Sequence, residues 1–176
     1  MAVYEALATT VLTSSASSVE FTSISSDYEH LQVRMIYKST KGTQGAVQVR
    51  IQFNSDTGTN YSYQGLEGYQ SNAGIHENTA QDEIHVWGGG TNTMGVGTFG
   101  GTVVDILDYR NVNKFTSVRS IGSLVSDYTT SSQDNVVAVT GGLWGSTAAI
   151  TSIKFLPNQG SWKSGCEFSL YGWRSS

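Results

Sequence analysis

Few residues in this chain combine type and spacing in a way that could do chemistry. Asp56-Thr57-Gly58 matches the triplet that carries the catalytic aspartate of aspartic proteases. Those enzymes pair two such carboxylates so that they share a proton, so a chain with one triplet would need a symmetric dimer. Here the triplet sits in Asn54-Ser55-Asp56-Thr57-Gly58-Thr59-Asn60, a run of turn formers directly after a strand pattern, and it reads as a turn. Gly95-Val96-Gly97-Thr98-Phe99-Gly100 matches G-x-G-x-x-G. A dinucleotide site needs a helix after that motif to receive the pyrophosphate, whereas Gly101-Thr102-Val103-Val104-Asp105-Ile106 continues as a strand.

His76, Glu77, Asp82, Glu83 and His85 form the one local cluster of candidate metal ligands. Glu83 and His85 are two apart and would share a strand face, but no third ligand or known spacing accompanies them. Asp27, Asp56, Asp105 and Asp108 lack the spaced carboxylate loop of an EF-hand calcium site. No G-x-S-x-G elbow occurs, and nothing links His30 to a nucleophile. Cys166 is the only cysteine, which excludes an intramolecular disulfide and a multi-thiolate zinc site within one chain. These residues lead us to expect no catalytic, cofactor or metal site and no enzymatic activity.

The elements that would position any site are strands. In Val47-Gln48-Val49-Arg50-Ile51-Gln52-Phe53 every odd position is apolar and every even one polar, the period of a half-buried strand. Leu31-Gln32-Val33-Arg34-Met35-Ile36-Tyr37 repeats the pattern with one lapse at Ile36. The polar link from Ser39 to Gly45 suits a hairpin joining the two. Further strands are expected at 7–12, 19–24, 84–87, 103–107, 115–121, 136–140, 150–156 and 167–173, where β-branched and aromatic residues dominate. Pro157, the only proline, follows the last strand but one, where a missing N–H costs least. The unpatterned stretch 54–82 is expected to wrap a sheet edge or reach a partner, and the glycine-rich 88–95 to form a flexible or turn-dense loop. No sustained helical stripe appears. The fold class predicted is all-β: an antiparallel β-sandwich, jelly-roll-like, as one domain over residues 1–176.

Composition bounds the partners. Charged residues are 14% of the chain, against about 25% in globular proteins, and the formal net charge is -4. Neither a nucleic acid nor an anionic membrane is therefore an expected partner. The start of the sequence has no basic segment followed by an apolar run, so no signal peptide or membrane span is expected. Aromatic residues, 11% of the chain, are too frequent for a disordered one. Tyr61, Tyr63, Tyr69 and Trp87, with Trp144 and Trp162, lie in or beside predicted loops. Rings among polar neighbours there can stack on a sugar or anchor an interface, which makes the first four the candidate binding residues.

Several stretches together resemble a family of small virion proteins of tailed bacteriophages, including phages of cyanobacteria. They are Leu7-Ala8-Thr9-Thr10-Val11-Leu12, Ser14-Ser15-Ala16-Ser17-Ser18-Val19-Glu20-Phe21, and Tyr28-Glu29-His30-Leu31-Gln32-Val33-Arg34. The likeness continues through 53–62, Asp105-Ile106-Leu107-Asp108-Tyr109, 143–153 and the closing Phe168-Ser169-Leu170-Tyr171-Gly172-Trp173. The resemblance implies a β-sandwich on the outside of a virion, made in the host cytoplasm. Its leading implication is a capsid decoration, or cement, protein that bridges major capsid subunits as a small homo-oligomer, preferably a trimer. The alternative it leaves open is a tail-fibre or receptor-binding domain contacting a host surface glycan. Absence of heptads and fibre repeats favours a compact knob over a shaft.

Overall fold

Alternation builds the centre of the molecule. In a computed structural model, which describes residues 3–43, 46–69, 72–126 and 135–174, strand β3 (His30–Tyr37) buries Leu31, Val33, Met35 and Tyr37. Strand β4 (Val47–Phe53) buries Val47, Val49, Ile51 and Phe53 in the same rhythm. Successive side chains point to opposite faces of a strand, so one polar-apolar register commits each strand to one covered face. Every regular element among the described residues is a strand. The others are β1 (Val3–Val11), β2 (Val19–Phe21), β5 (Tyr61–Tyr69), β6 (Asn72–Gln81), β7 (Ile84–Gly89) and β8 (Gly100–Leu107). They continue with β9 (Thr116–Leu124), β10 (Val136–Trp144), β11 (Ile153–Pro157) and β12 (Glu167–Arg174).

The strands form two antiparallel sheets packed as a sandwich. The large sheet has the order β1-β12-β3-β8-β9-β10-β5-β6, and the small one β2-β11-β4-β7. Four pairings nest: β1 with β12, β2 with β11, β3 with β8 and β4 with β7. The hairpins β5–β6 and β9–β10 lie outside that nest, and both extend the large sheet beyond β8. The core between the sheets is aromatic-rich. Phe53 packs on Trp144, while Phe155, Phe168 and Trp162 form a second run, all of them buried. Burying such rings contributes about 1.5–3 kcal/mol each, with no disulfide needed to close the chain. Pro157 is the last residue of β11, opposite Val49.

Three expectations are corrected. The link 39–45, of which Gln44 and Gly45 lie outside the described residues, does not close a hairpin, because β3 and β4 belong to different sheets. Alternation reports a covered face and is silent on the pairing partner. The stretch 54–82 is not a long loop, since after a short turn it forms the hairpin β5–β6. The stretch 88–95 is turn-dense only from Thr91 on. Gly88 and Gly89 end β7, and Thr91 and Met94 are buried beneath Lys38, whose Nζ donates to the Met94 and Gly95 carbonyls at 3.0 and 2.6 Å.

Candidate interaction face

The residues singled out for chemistry are tied into the fold. Asp56 heads the β4–β5 turn: its Oδ1 accepts from the Gly58 N–H at 2.9 Å, and Trp144 Nε1 donates to its Oδ2 at 2.8 Å. Burial pushes the Asp56 carboxyl up. The bonds from Trp144, Asn60 and Gly58 outweigh that and leave it below the usual carboxylate range. Asp105 is held by Arg119 and Gln32 at 2.8 Å each, and Asp108 by Lys114, while Asp27 accepts from Ser25. The carboxylates are thus dispersed. Among the described residues no three His, Cys, Asp or Glu groups converge on a metal position. Gly95 to Gly100 runs into β8, with no helix behind it.

The His and Glu cluster divides into two separate pairs. His85 Nε2 lies 3.4 Å from Glu83 Oε1, which also takes Arg50 at 2.8 Å. His76 Nε2 lies 2.7 Å from Glu67 Oε1 and its ring stacks on Trp87. Asp82 and Glu77 join neither pair. Cys166 is fully buried against the Lys38 backbone, and that burial pushes its thiol up. A thiol so placed is a poor nucleophile.

The candidate binding rings are not loop residues. Tyr61 and Tyr63 are inward residues of β5, and Trp87 is a buried residue of β7. The Tyr61 hydroxyl accepts from the Phe53 N–H at 3.0 Å and is pushed up to about 12, chiefly by burial. The Tyr63 hydroxyl meets His85 and Asn78 at 2.9 and 2.8 Å. Trp144 and Trp162 are core residues as well. Of the four, only Tyr69 is exposed, at the far end of β5. Neighbouring turn formers suggested loops, but period-2 spacing at Tyr61, Tyr63 and Gly65 was the better signal, since it marks one buried face.

What the large sheet leaves open is its outer face. Cross-strand register sets Val103 beside Ile121, Ile121 beside Val139, Val139 beside Leu66, and Leu66 beside Ile75. These five side chains form one apolar ladder across β8, β9, β10, β5 and β6. All are exposed, Ile121 by 64% and Ile75 by 71%. Three of the five strands they occupy belong to β9–β10 and to β5, and a fourth is the edge strand β6, so the ladder sits mainly on the two added hairpins. One residue-pair along the strands, the same register gives Gly101, Ser123, Val137, Gly68 and Ala73. That row is mostly small, and a groove of about 450 Å³ opens over Gly101, bordered by Arg34, Ile36, Val103, Ile121 and Tyr171. On the other side of the ladder the row reads Asp105, Arg119, Gly141, Gln64 and Glu77. Contiguous exposed apolar surface of this kind marks interaction sites in soluble proteins.

The comparisons add no relative to this geometry: no protein-family model, curated protein or solved structure matches the chain.

Proposed function

We propose that this chain is a non-enzymatic structural protein of a tailed-phage virion, a cement protein that binds and bridges major capsid subunits on the particle exterior. The observation that supports this reading best is the apolar ladder on the outer face of the large sheet. A chain with few charges, whose chemically capable side chains are engaged by the fold, presents a broad surface suited to another protein. The strand order agrees with a jelly roll, the architecture common in capsid proteins. Without β5–β6 and β9–β10, the four nested pairs make one ribbon whose successive pairs fall in alternate sheets: β1·β12 and β3·β8 in one, β2·β11 and β4·β7 in the other. Bridging several subunits at once needs only modest affinity per contact, because linked contacts act at high effective concentration.

A second reading, a receptor-binding domain for a host surface glycan, is favoured by a different place. Trp173 and Tyr4 are about half exposed at the β1–β12 edge, where Tyr4 stacks on Tyr171 with Arg34 above the rings. Such rings suit sugar stacking. Gold-labelled antibody against the chain, imaged on intact particles, tests both. Label spread over the shell supports the cement reading, label confined to the tail supports the receptor reading, and no label on any particle overturns both.

A further inference from the structure

The outer face holds three glycines that the chain itself does not require. A Cβ built at Gly68 meets nothing within 4 Å, one at Gly141 meets only the Gln64 carbonyl at 4.0 Å, and one at Gly101 only the Met35 carbonyl at 3.9 Å. None has the left-handed backbone that excludes other residues. Inward glycines of the same sheet differ: a Cβ at Gly122 would lie 1.9 Å from the Trp87 carbonyl, and one at Gly100 1.6 Å from that of Gly88. Glycine inside a strand weakens it, and where packing within the chain does not explain it, close approach of another backbone does. Gly101 and Gly68 stand directly along the strand from Val103 and Leu66, the ladder residues of β8 and β5.

We propose that the occupant of this face is a second copy of the chain, packed face to face about a two-fold axis that crosses the strands between the ladder and its small-residue row. The proposal rests on the reading of the chain as an assembly protein: it assigns the ladder to self-association, so that the pair bridges capsid subunits through its remaining surfaces. This axis returns every strand upon its own counterpart in reverse direction. Val103 then stands over Gly101 of the second copy, Ile121 over Ser123, Leu66 over Gly68 and Ile75 over Ala73, so four of the five ladder side chains enter places left by small ones, while on β10 Val139 meets Val137. An axis on the other side of the ladder would instead set Val103 on Asp105, Ile121 on Arg119 and Ile75 on Glu77, three charges against hydrocarbon, whereas the chosen axis sets only one, Arg34 of β3, which shares the row of Val103 and meets Ile36.

Charge and area agree with self-association. From β3 to β6 the three rows carry Arg34, Asp105, Arg119 and Glu77, two charges of each sign with Arg119 bonded to Asp105, so apposed copies meet without net repulsion although the chain is at -4. From β3 to β6 the sheet is six strands wide. Its five spacings of about 4.8 Å and about 27 Å of strand length give roughly 650 Å², close to the ~800 Å² per partner of a standard interface. A flat face is covered fully by one other flat face. Around a three-fold axis three such faces meet only along their margins, so the pair replaces the trimer that a capsid three-fold position favours.

Sedimentation of the full chain at micromolar concentration tests this, with Gly101→Gln and Ile121→Lys as the variants. The wild type is expected to run as two chains. Gly101→Gln fills the groove from a position where the added Cβ meets nothing nearer than 3.9 Å, and each variant is expected to weaken pairing about thirtyfold or more, the scale of an interface hot spot, with thermal melting of the single chain unchanged. Val96→Gln, in the exposed loop before β8 and outside the three rows, should leave the pair intact. A wild type of one or three chains overturns the proposal, and so does a pair that survives both variants. Binding to intact particles separates the two readings: a wild type that runs as one chain and still coats particles defeats the pair alone, and a pair that coats none defeats the virion function alone.

Discussion

Replacing Asp56 separates a structural carboxylate from a catalytic one. Trp144 is almost wholly buried, and its indole N–H has Asp56 Oδ2 as acceptor at 2.8 Å. In Asp56→Ala that donor loses its partner inside the protein, a cost of about 1–3 kcal/mol, and the turn loses the acceptor for Gly58. For a chain of this length 1 kcal/mol moves the melting temperature by about 2–4 °C, so a loss near 2 kcal/mol lowers it by roughly 4–8 °C. Asp56→Asn keeps one acceptor oxygen but turns an NH2 toward donors, and should fall between the wild type and Asp56→Ala. Both variants should keep whatever association and particle binding the wild type has.

The sign of the pH dependence follows from the depressed carboxyl. Its folded value lies below the unfolded one, taken as 3.8, so its stabilisation is fully present above about pH 4 and is lost as pH falls through the folded value. Urea melts of wild type and Asp56→Ala should therefore differ most near neutrality and converge in acid. In a Trp144→Phe background, which lacks the donor, Asp56→Ala should cost less than in the wild type, a coupling of about 1 kcal/mol. Equal melting temperatures at pH 7, a gap that stays constant into acid, or absence of coupling would refute the account of this turn. Proteolysis by the wild type that disappears in Asp56→Asn would refute the non-enzymatic reading itself.

Gly122→Ala should cost about 3 kcal/mol or more in urea unfolding, because its Cβ would meet the Trp87 carbonyl, a backbone atom that cannot swing away. Thr140→Val should raise the melting temperature by about 2–4 °C, because it replaces a buried hydroxyl that has no partner among the described residues. Cys166 should react with a thiol reagent only slowly in the folded protein and promptly in denaturing urea, since burial both shields it and disfavours its thiolate.

The legible part of this fold was the part where one face of a strand is covered and the other wet. β3 and β4 announce themselves because Leu31, Val33, Met35 and their β4 counterparts alternate with polar residues. The same signal cannot say that β3 pairs with β12 and β8, since those contacts join residues more than sixty positions apart. β6 is largely exposed on both faces, so it has no alternation to display, and its partner β5 was hidden by turn formers around Tyr61 and Tyr63. Where Asp56, Asp105 and Asp108 lie relative to one another was not legible, because spacing along the chain is silent on which strands pair.

The open face was visible in the sequence in a form easily taken for a core strand. Val136-Val137-Ala138-Val139 is apolar without a break, and in an antiparallel sheet such a run means that both faces of the strand need cover. The small sheet covers one face: Val136 and Ala138 are buried. Val137 and Val139 turn the other way and are 57% and 51% exposed, with Ile121 beside Val139 on β9. A strand that supported a hairpin alone would carry threonine or lysine at those positions at no cost to the core. Apolar side chains there, flanked by glycines that no contact within the chain requires, are explained by a surface that is covered when the protein works.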